Sequence, residues 1–402
     1  MPSRRTSPTW PPTRRQLRPW HQTVRGGTRE DRTISEISVS FPPLIAALEV
    51  PLNSALATAV ESAVREIAAL DSSSGEVLDA LGVLLLRTES VASSKIERVQ
   101  ASMKDYARAL HGVKTNSAAV SMVAATKALT IMVDIVGQTH RIDLETVTQA
   151  HAALMADEPS ERDYAGRLRN MQNWIGGSDH SPRGALYIPP PPDTVTNYVD
   201  DLLEFCNRDD LPALVQAGIA HAQFESIHPF TDGNGRIGRA LINSILRRRG
   251  ITTKVVVPLA SALVAHRDRY FDLLTAYREG EPGPILSSFA ASTRIAAQES
   301  RKTATRLGQV PSTWKAMAGP MRRDNAAGAL LTQLLDRPIL SAEDVRELLG
   351  TSTSASYAAI DRLHSAGILQ PLTARKRNQV WGAILVLDEL DDLGMRIARS
   401  AP

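Results

Sequence analysis

The chain has 402 residues, of which 43% are hydrophobic and 4% aromatic, and its formal net charge is +3. This length predicts two or three domains, and abundant Ala and Leu with few β-branched runs favour an α-rich fold. The near-neutral charge does not require a nucleic acid or a membrane as a partner of the whole chain. The single cysteine, Cys206, excludes an internal disulfide and fits a reducing compartment, so we expect a cytoplasmic protein.

Two further absences in the sequence support that expectation. No apolar run approaches the roughly 18 residues of a membrane span. The N-terminal segment also lacks the apolar stretch of a secretory signal. We therefore expect no membrane partner.

Residues 1–40 are rich in arginine and contain Pro11 and Pro12. This composition predicts a loosely ordered, solvated arm, and the alternative is an arm that contacts nucleic acid or another acidic partner. Residues 41–118 are predicted to form a helical region. One helix face in it is marked by residues at three- and four-residue steps: Leu78, Leu81, Leu85, Glu89 and Ser93.

The composition of the chain changes at residues 166–193, where glycine and proline become frequent. Trp174 and Ile175 precede a polar turn with glycines and a proline, Tyr187 and Ile188 follow it, and four prolines occupy 189–192. Two apolar segments around such a turn predict a β-hairpin.

The most specific segment runs from His228 to Arg239 and reads HPFTDGNGRIGR. Apolar residues recur at helical spacing on both sides of it, and Gly250 follows a basic last turn as a helix-ending glycine. The segment is therefore predicted to be a loop between two helices, with its glycines at the N-terminus of the second helix.

The residue types of this loop suit the phosphates of a nucleotide. A helix N-terminus attracts phosphate, and Gly233 and Gly235 let a phosphate approach the backbone closely. Arg236 and Arg239 lie one turn apart and can clamp phosphoryl oxygens, while Asp232 offers a hard oxygen ligand for Mg²⁺.

The remaining polar and aromatic positions have simpler interpretations. His228 titrates near neutral pH and is the only general base that the loop offers. Ile227 and Phe230 are interpreted as apolar anchors that fix the loop.

A dinucleotide-binding fingerprint is a rival interpretation, because residues 233–238 also fit G-x-G-x-x-G. That fingerprint needs a preceding strand and an acidic residue about 20 positions later. A helical pattern precedes the segment here, and residues 251–257 contain no acid. The match is coincidental.

The string from His228 to Arg239 resembles the active-site motif of Fic-domain proteins, H-x-F-x-[DE]-G-N-G-R-x-x-R, without a departure. The resemblance covers residues from about 40 to 300. It implies transfer of AMP from ATP to a hydroxyl side chain of a protein. The related Doc-type phosphotransferases carry Ala and Lys at the positions of Gly233 and Gly235, so nucleotidyl transfer is favoured.

The resemblance also implies roles for single residues. It makes His228 the base that deprotonates the target hydroxyl and Asp232 the Mg²⁺ ligand. It assigns the binding of the nucleotide, ATP, to the following residues: Phe230, Gly233, Asn234, Gly235, Arg236, Arg239 and Tyr270. Of these, Arg239 contacts the terminal phosphate and Tyr270 lies near the adenine.

Two further features of this family, an inhibitory helix and a flap, are expected outside the motif. Ser93 and Glu97 resemble the inhibitory signature [ST]-x-x-x-E-[GN], in which the glutamate can pair with Arg239, although Arg98 replaces the expected Gly or Asn. The hairpin at 166–193 resembles the flap that aligns the target, with Tyr187 and Ile188 as docking residues. His151 and His221 are expected to be satisfied interior histidines.

From about residue 324 the chain restarts with three helical segments, a short apolar strand, the basic turn Arg375-Lys376-Arg377 and a second strand around Trp381. This order resembles a winged-helix module. The module carries at least as many acids as bases, so DNA and a protein surface both remain open as its partner.

The sequence therefore predicts a mainly α protein with a Fic-type helical core, a β-hairpin flap and a C-terminal winged helix. Its expected parts are an arm (1–40), an N-terminal helical region (41–118), a catalytic core (119–300), a connecting segment (301–323) and the winged-helix module (324–402). The expected function is that of an autoinhibited protein adenylyltransferase that uses ATP and Mg²⁺.

Two other functions stay open, namely removal of AMP from a modified protein and a DNA-binding regulator that senses nucleotide. Partners also stay open, among them an unknown target protein, self-modification and a homodimer.

Overall fold

The computed structural model describes residues 9–22, 26–72, 78–112, 116–320, 325–373 and 379–402. These residues form a mainly helical protein, as predicted. In chain order the helices are α1 (Arg29–Thr33), α2 (Ser54–Ser72), α3 (Leu78–Ile96), α4 (Met103–Leu110), α5 (Ser117–Thr139), α6 (Leu144–Met155), α7 (Val195–Cys206), α8 (Ala213–Ile227), α9 (Asn234–Arg248), α10 (Ala260–Ala265), α11 (Arg267–Arg278), α12 (Gly283–Ala318), α13 (Ala326–Gln333), α14 (Ala342–Leu349), α15 (Thr353–Ser365) and α16 (Ile384–Ser400). The strands are β1 (Arg14–Pro19), β2 (Glu36–Phe41), β3 (Ile339–Ser341), β4 (Leu369–Pro371) and β5 (Val380–Ala383).

The chain divides into two compact units, each assembled from three separate segments. The first unit comprises residues 1–61, 128–251 and 267–290, and the second comprises 62–127, 252–266 and 291–402. The expected consecutive parts therefore interleave in the structure.

Helix α8 forms the centre of the first unit, because every one of its residues is buried. Helix α9 packs closely against it, and Gly238 makes that approach possible: a Cβ there would lie 2.9 Å from Glu225 Oε1 and 3.1 Å from Phe224 Cδ1. Phe289 and Leu286 contact α8 at Gly218 in the same way. Because α8 is buried and α9 crosses it closely, the loop that joins these two helices is fixed in position.

The N-terminal residues form a small antiparallel hairpin in which β1 pairs with β2, from Arg14 opposite Phe41 to Pro19 opposite Glu36. Trp10 is buried and packs against the Tyr277 ring in a tilted arrangement. Three residues later, the N–H of Thr13 donates to the carbonyl of Arg278 over 2.7 Å. The prediction of a loosely ordered arm is wrong for the described residues of this segment. Backbone pairing and the Trp10 anchor order it, although the side chains of β1 are all exposed.

The hairpin predicted at 166–193 is reduced to one antiparallel bridge between Ile175 and Tyr187. Ile175 donates to the Tyr187 carbonyl over 2.9 Å, and Leu186 donates to the Ile175 carbonyl over 2.8 Å. Gly176 and Gly177 then take positive φ, which turns the chain out of the strand conformation. The predicted hairpin is thus present as a single antiparallel bridge without extended strands.

In the second unit, α3 packs against α10 and α16. The buried carboxylate of Glu89 accepts a hydrogen bond from the N–H of Ala260 over 2.8 Å and so caps the start of α10. At the end of α2, Asp71 accepts from the N–H groups of Thr253 and Val255 over 2.8 Å and 3.1 Å. Acidic side chains thus join segments that are far apart in the sequence.

The C-terminal residues of this unit form a three-stranded antiparallel sheet, ordered β3-β5-β4, with α13, α14 and α15. Ser341 and Asp344 form a capping box at α14, and the hydroxyl of Ser352 caps α15. The three helices follow one another here in the predicted order. The interpretation as a winged helix stays a prediction, and its basic turn Arg375-Lys376-Arg377 lies outside the described residues.

One helix bears on the expectation about apolar length. Helix α5 is long and apolar enough to cross a membrane by length and composition, although half of its most apolar 18-residue window is buried within the protein. Core helices of soluble proteins meet the same criterion, so this helix is weak evidence for a membrane span.

Candidate active site

The loop from His228 to Gly233 connects α8 to α9, as predicted. His228 follows the last residue of α8 in the left-handed conformation, with φ 50° and ψ 61°, and its N–H donates to the Phe224 carbonyl over 2.8 Å. The left-handed residue ends α8 and turns the chain, so the imidazole is fixed at the helix end. Gly250, with φ 64°, ends α9 in the predicted way.

The His228 ring is oriented by two carboxamides. Asn173 Nδ2 lies 2.9 Å and Asn234 Nδ2 lies 3.2 Å from His228 Nδ1. Both Nδ2 groups also donate to the Phe230 carbonyl over 2.9 Å, and Asn234 Oδ1 accepts from the Phe230 N–H. These backbone partners fix the two amides as donors, so His228 Nδ1 accepts and the neutral ring carries its proton on Nε2.

The half-buried His228 imidazole is held in its neutral form. Burial and, to a smaller extent, the positive charges of Arg169 and Arg278 lower the pKa of His228 to about 3. A neutral imidazole can take up a proton during a reaction at neutral pH.

Arg169 is buried and binds the backbone around His228. Its guanidinium donates to the carbonyls of His228 (2.8 Å), Met171 (3.1 Å), Pro190 (2.6 Å) and Ile227 (3.3 Å). Burial lowers the pKa of Arg169 to about 10, which leaves it charged at neutral pH. One cation therefore fixes the end of α8 and the chain on both sides of the Ile175–Tyr187 bridge.

The N-terminus of α9 provides the predicted phosphate-binding turn. Gly233 is its N-cap residue, with φ 75°, and a Cβ at this position would lie 2.9 Å from Leu154 Cδ2 and closer still to Met155. Only glycine fits that conformation and that space. The backbone N–H groups of the first turn, at Asn234, Gly235 and Arg236, point away from the helix toward the loop.

The structure places the predicted charged residues on this turn. The side chains of Arg236 and Arg239 are largely buried, Arg239 being only 1% exposed. The carboxylate of Asp232 is 57% exposed and lies 3.4 Å from the Arg236 guanidinium. A single exposed carboxylate beside a phosphate-binding turn matches Mg²⁺ that binds together with phosphates, since this ion usually takes one or two carboxylates and keeps several waters. Among the described residues, no cluster of three or more His, Cys, Asp or Glu side chains could hold a metal alone.

Phe230 is fully buried and stacks on His151, with ring centroids 3.8 Å apart and planes 5° from parallel. His151 Nδ1 accepts from the Gly166 N–H over 2.9 Å, so its Nε2 carries the proton that bonds to the Asp232 carbonyl. The interpretation of Phe230 as an anchor and of His151 as a satisfied interior histidine is confirmed. Any contribution of Phe230 to nucleotide binding is thus through the position of the loop.

Other predicted residues lie in the core. Tyr270 is 2% exposed, and its hydroxyl lies 2.8 Å from Nε2 of the buried His221. Tyr187 donates to the Ser226 carbonyl over 2.9 Å, and Ile188 packs with Ile37 and Val39. The exposed side chain of that segment is Leu186, at 83%. The contact of Tyr270 with adenine stays a prediction. The contact of Tyr187 and Ile188 with a target protein stays one as well.

The predicted inhibitory residues lie at the C-terminal end of α3 in the second unit. Ser93 is buried, whereas Glu97 follows the helix with an exposed side chain. Arg98 has φ 61°, Arg98 N–H donates to the Lys95 carbonyl, and Val99 N–H donates to the Ser94 carbonyl. This is a Schellman motif, and its left-handed position normally carries Gly or Asn.

Sequence reasoning missed Arg169 and Asn173 as site residues. Both lie in the segment that was interpreted only as a hairpin, and no pattern around them indicates that they bond to His228. Their role depends on contacts between residues 55 to 59 positions apart.

Comparisons with known proteins agree with this geometry. Residues 141–246 match the model of the Fic/DOC family. A probable protein adenylyltransferase of Aquifex aeolicus is 36% identical over 104 residues, which are 26% of this chain and 29% of that protein. Protein adenylyltransferase fic-1 of Caenorhabditis briggsae is 27% identical over 163 residues, which are 40% of this chain and 29% of that protein. The chain thus spans less than a third of the length of either relative.

Solved structures extend the likeness beyond that segment. A Fic family protein of Desulfovibrio desulfuricans superposes with a TM-score of 0.52 and 20% identity, covering 83% of this chain and 97% of that one. Fic-1 of Caenorhabditis elegans superposes with a TM-score of 0.50 and 19% identity, covering 63% and 73% of the two chains. The fold is therefore that of Fic proteins, and the segment 141–246, which contains the loop between α8 and α9, is the part that matches the Fic/DOC family model.

Proposed function

We propose that this protein is a protein adenylyltransferase that transfers AMP from ATP to a hydroxyl side chain of a protein. The observation that carries the proposal is the juxtaposition of a neutral imidazole, His228, with the glycine-capped N-terminus of α9 on one short loop. The names of the sequence relatives support the same activity.

The α9 turn provides the binding of the phosphates. Its N–H groups and helix dipole attract the phosphate chain of ATP, and Arg236 and Arg239 neutralise the outer phosphates. Transfer of this kind needs positioning and charge neutralisation more than covalent help from the protein. Asp232 would hold Mg²⁺ on the same phosphates, and the ion would supply charge neutralisation there.

The reaction moves one proton and exchanges one bond. The target hydroxyl oxygen bonds to the α-phosphorus, the bond from that phosphorus to the bridging oxygen breaks, and pyrophosphate leaves. His228 takes the hydroxyl proton and later releases it to solvent. Because the two carboxamides keep the resting ring proton on Nε2, uptake at Nε2 requires that proton to move to Nδ1 first.

We further propose that Glu97 restrains transfer in the wild-type protein. The match of Ser93 and Glu97 to the inhibitory signature supports this regulation, and so does the left-handed conformation that Arg98 adopts where the signature has Gly or Asn. Replacement of Glu97 should then increase transfer, because a misplaced phosphate chain can cost roughly 10²-fold in rate.

Incubation of purified protein with α-labelled ATP and Mg²⁺, with and without cell lysate, tests the function. We expect weak labelling of protein by wild type, strong labelling by Glu97→Gly, and a loss of roughly 10²–10⁴-fold when His228→Ala is added. His266→Ala, at an exposed histidine of the second unit, is the matched control and should leave labelling unchanged. Absence of labelling with Glu97→Gly contradicts the transferase, and equal labelling with and without Glu97 contradicts only the restraint.

The role of Asp232 is tested in the same assay. We expect Asp232→Asn to shift the Mg²⁺ dependence of labelling to higher concentration and to lower the maximal rate, because the amide is neutral and a weaker ligand. Asp163→Asn, an exposed aspartate of the same unit, is the control. An unchanged Mg²⁺ titration for Asp232→Asn would remove the metal role from this residue.

A further inference from the structure

The second unit contains a cavity of about 250 Å³. Its walls come from α3, α4, α10, β3 and α16, and most of the lining surface is apolar, with Val91, Met103, Ile339 and Leu387 among the contributing residues. The volume is slightly below the roughly 300–1,000 Å³ of pockets that bury drug-sized ligands. A smaller organic molecule therefore fits.

Three charged side chains line the same cavity: Arg87, Lys95 and Asp391. Burial raises the pKa of Asp391, the positive charge of Lys95 opposes that rise, and Asp388 adds to it. Lys95 and Asp391 thus compensate each other in part. Arg87 has no such partner among the acids that line the cavity.

Arg87 lines this largely apolar cavity with a half-buried side chain. Its Nη1 is buried and has no hydrogen-bond partner within the described ranges of the chain. The neighbouring titratable group is His111, whose pKa is lowered by burial and by the charge of Arg87, while Asp344 raises it. A half-buried guanidinium at a largely apolar surface is stabilised by an anionic acceptor, and a carboxylate in the cavity would supply one to the part of Arg87 that lines it.

We propose that this cavity binds a small amphipathic carboxylate, with its apolar chain on the hydrophobic walls and its carboxylate on Arg87. A carboxylate matches the fork of a guanidinium in shape and charge. An organic cation would be repelled by Arg87, and a free phosphate would leave the apolar walls without a partner. The site is independent of the proposed transferase, and its test needs no activity.

Octanoate is the probe, added to the full-length protein and followed by isothermal titration calorimetry and by the shift of the melting temperature. We expect saturable binding of octanoate with one site per chain. Octan-1-ol and octylammonium, which have the same chain and a neutral or cationic head, should bind at least tenfold more weakly, because they do not pair with Arg87.

Two variants test the location. Arg87→Met should weaken octanoate binding at least tenfold, whereas Arg337→Met, at an exposed arginine of the same unit, should leave it unchanged. Gly394 lies in α16, lines the cavity and has no atom within 4 Å of an added Cβ. A leucine at position 394 should therefore fill the cavity without strain, and its helix propensity is higher than that of glycine. We expect Gly394→Leu to weaken octanoate binding at least tenfold.

The Gly394→Leu variant keeps the test decisive if Arg87→Met does not fold. Failure of wild type to bind octanoate, equal affinity for the alcohol or the ammonium, or unchanged binding by Gly394→Leu would each overturn the proposal.

Discussion

Single residues decide the chemistry of His228, and only some of them belong to the recognisable motif. Asn234 comes from the motif, whereas Asn173 and Arg169 come from the segment that precedes α7. The motif identified the reacting groups from their residue types alone. It could not identify the residues that set the tautomer and the pKa of His228, because those contacts exist only after the chain has folded.

The first prediction concerns the tautomer of His228. We expect its ring to be neutral at pH 7 with the proton on Nε2, since both carboxamides donate to Nδ1. Nitrogen NMR of the ring distinguishes the two tautomers directly. In Asn173→Ala the pKa of His228 should rise from its value of about 3, because a donor that opposes protonation of Nδ1 is lost.

Gln172→Ala is the control for that variant, because Gln172 bonds to the carbonyls of Asn173 and Pro189 and does not contact the ring. A proton on Nδ1 in the wild-type protein, or an unchanged pKa in Asn173→Ala, contradicts the assignment of Asn173 as the residue that orients the ring.

At the scale of elements, the sequence predicted the helices better than the strands. The helices around the loop have apolar residues at helical spacing, and the three helices near the C-terminus begin with side-chain caps, so local signals define all of them. Strand β1 has no buried side chain and no alternating pattern, and its order comes from backbone pairing with β2. Such pairing leaves no signal in the sequence of one strand.

Arg169 provides the second prediction, because four backbone carbonyls depend on it. We expect Arg169→Met to lower the free energy of unfolding by at least about 2 kcal/mol, since it leaves several buried carbonyls without a donor. Arg167→Met, at an exposed position two residues earlier, is the matched control. Urea denaturation measures both variants, and equal stability of the two would contradict the role of Arg169.

The end of α3 provides the third prediction. Arg98 occupies the left-handed position of a Schellman motif with φ 61°, where a side chain is disfavoured. Arg98→Gly should stabilise the protein by roughly 0.5–1 kcal/mol, which is the relief of that conformation less the entropy of a glycine in the unfolded chain. Arg337→Gly has the same entropic cost without the relief, because Arg337 does not have positive φ. Thermal unfolding of both variants is the measurement, and a destabilised Arg98→Gly would refute the expected relief.

For the whole molecule, the interleaving of the two units could not be predicted from sequence. Each unit consists of three segments that are separated in the sequence by segments of the other unit. In the second unit, the hydrogen bonds between Asp71 and Thr253 and between Glu89 and Ala260 join positions about 170 to 180 residues apart. Composition indicates that such cores can form, but it contains no information on which segments meet. The mainly helical class, in contrast, follows from composition and periodicity and is confirmed.

The last prediction concerns the stability of the protein in acid. Burial lowers the pKa of His151 to about 4 and that of His221 to about 3, and His228 has a pKa of about 3 as well. The unfolded chain binds protons at these histidines near their ordinary pKa of about 6.5, whereas the folded protein does not. The stability that they contribute is therefore complete above that pH and is lost as the pH falls from about 6.5 toward about 3.

We expect each of the three histidines to remove about 1–2 kcal/mol from the free energy of unfolding between pH 7 and pH 5. Urea denaturation of wild type at several pH values measures the total slope. His151→Gln keeps a donor and an acceptor at this position but does not titrate, so its stability should decrease less steeply over the same range, whatever its stability at pH 7. His266→Gln changes an exposed histidine and should keep the wild-type slope. If His151→Gln also keeps that slope, His151 is not neutral in the folded protein, and the anchoring of Phe230 and Asp232 by an uncharged ring is wrong.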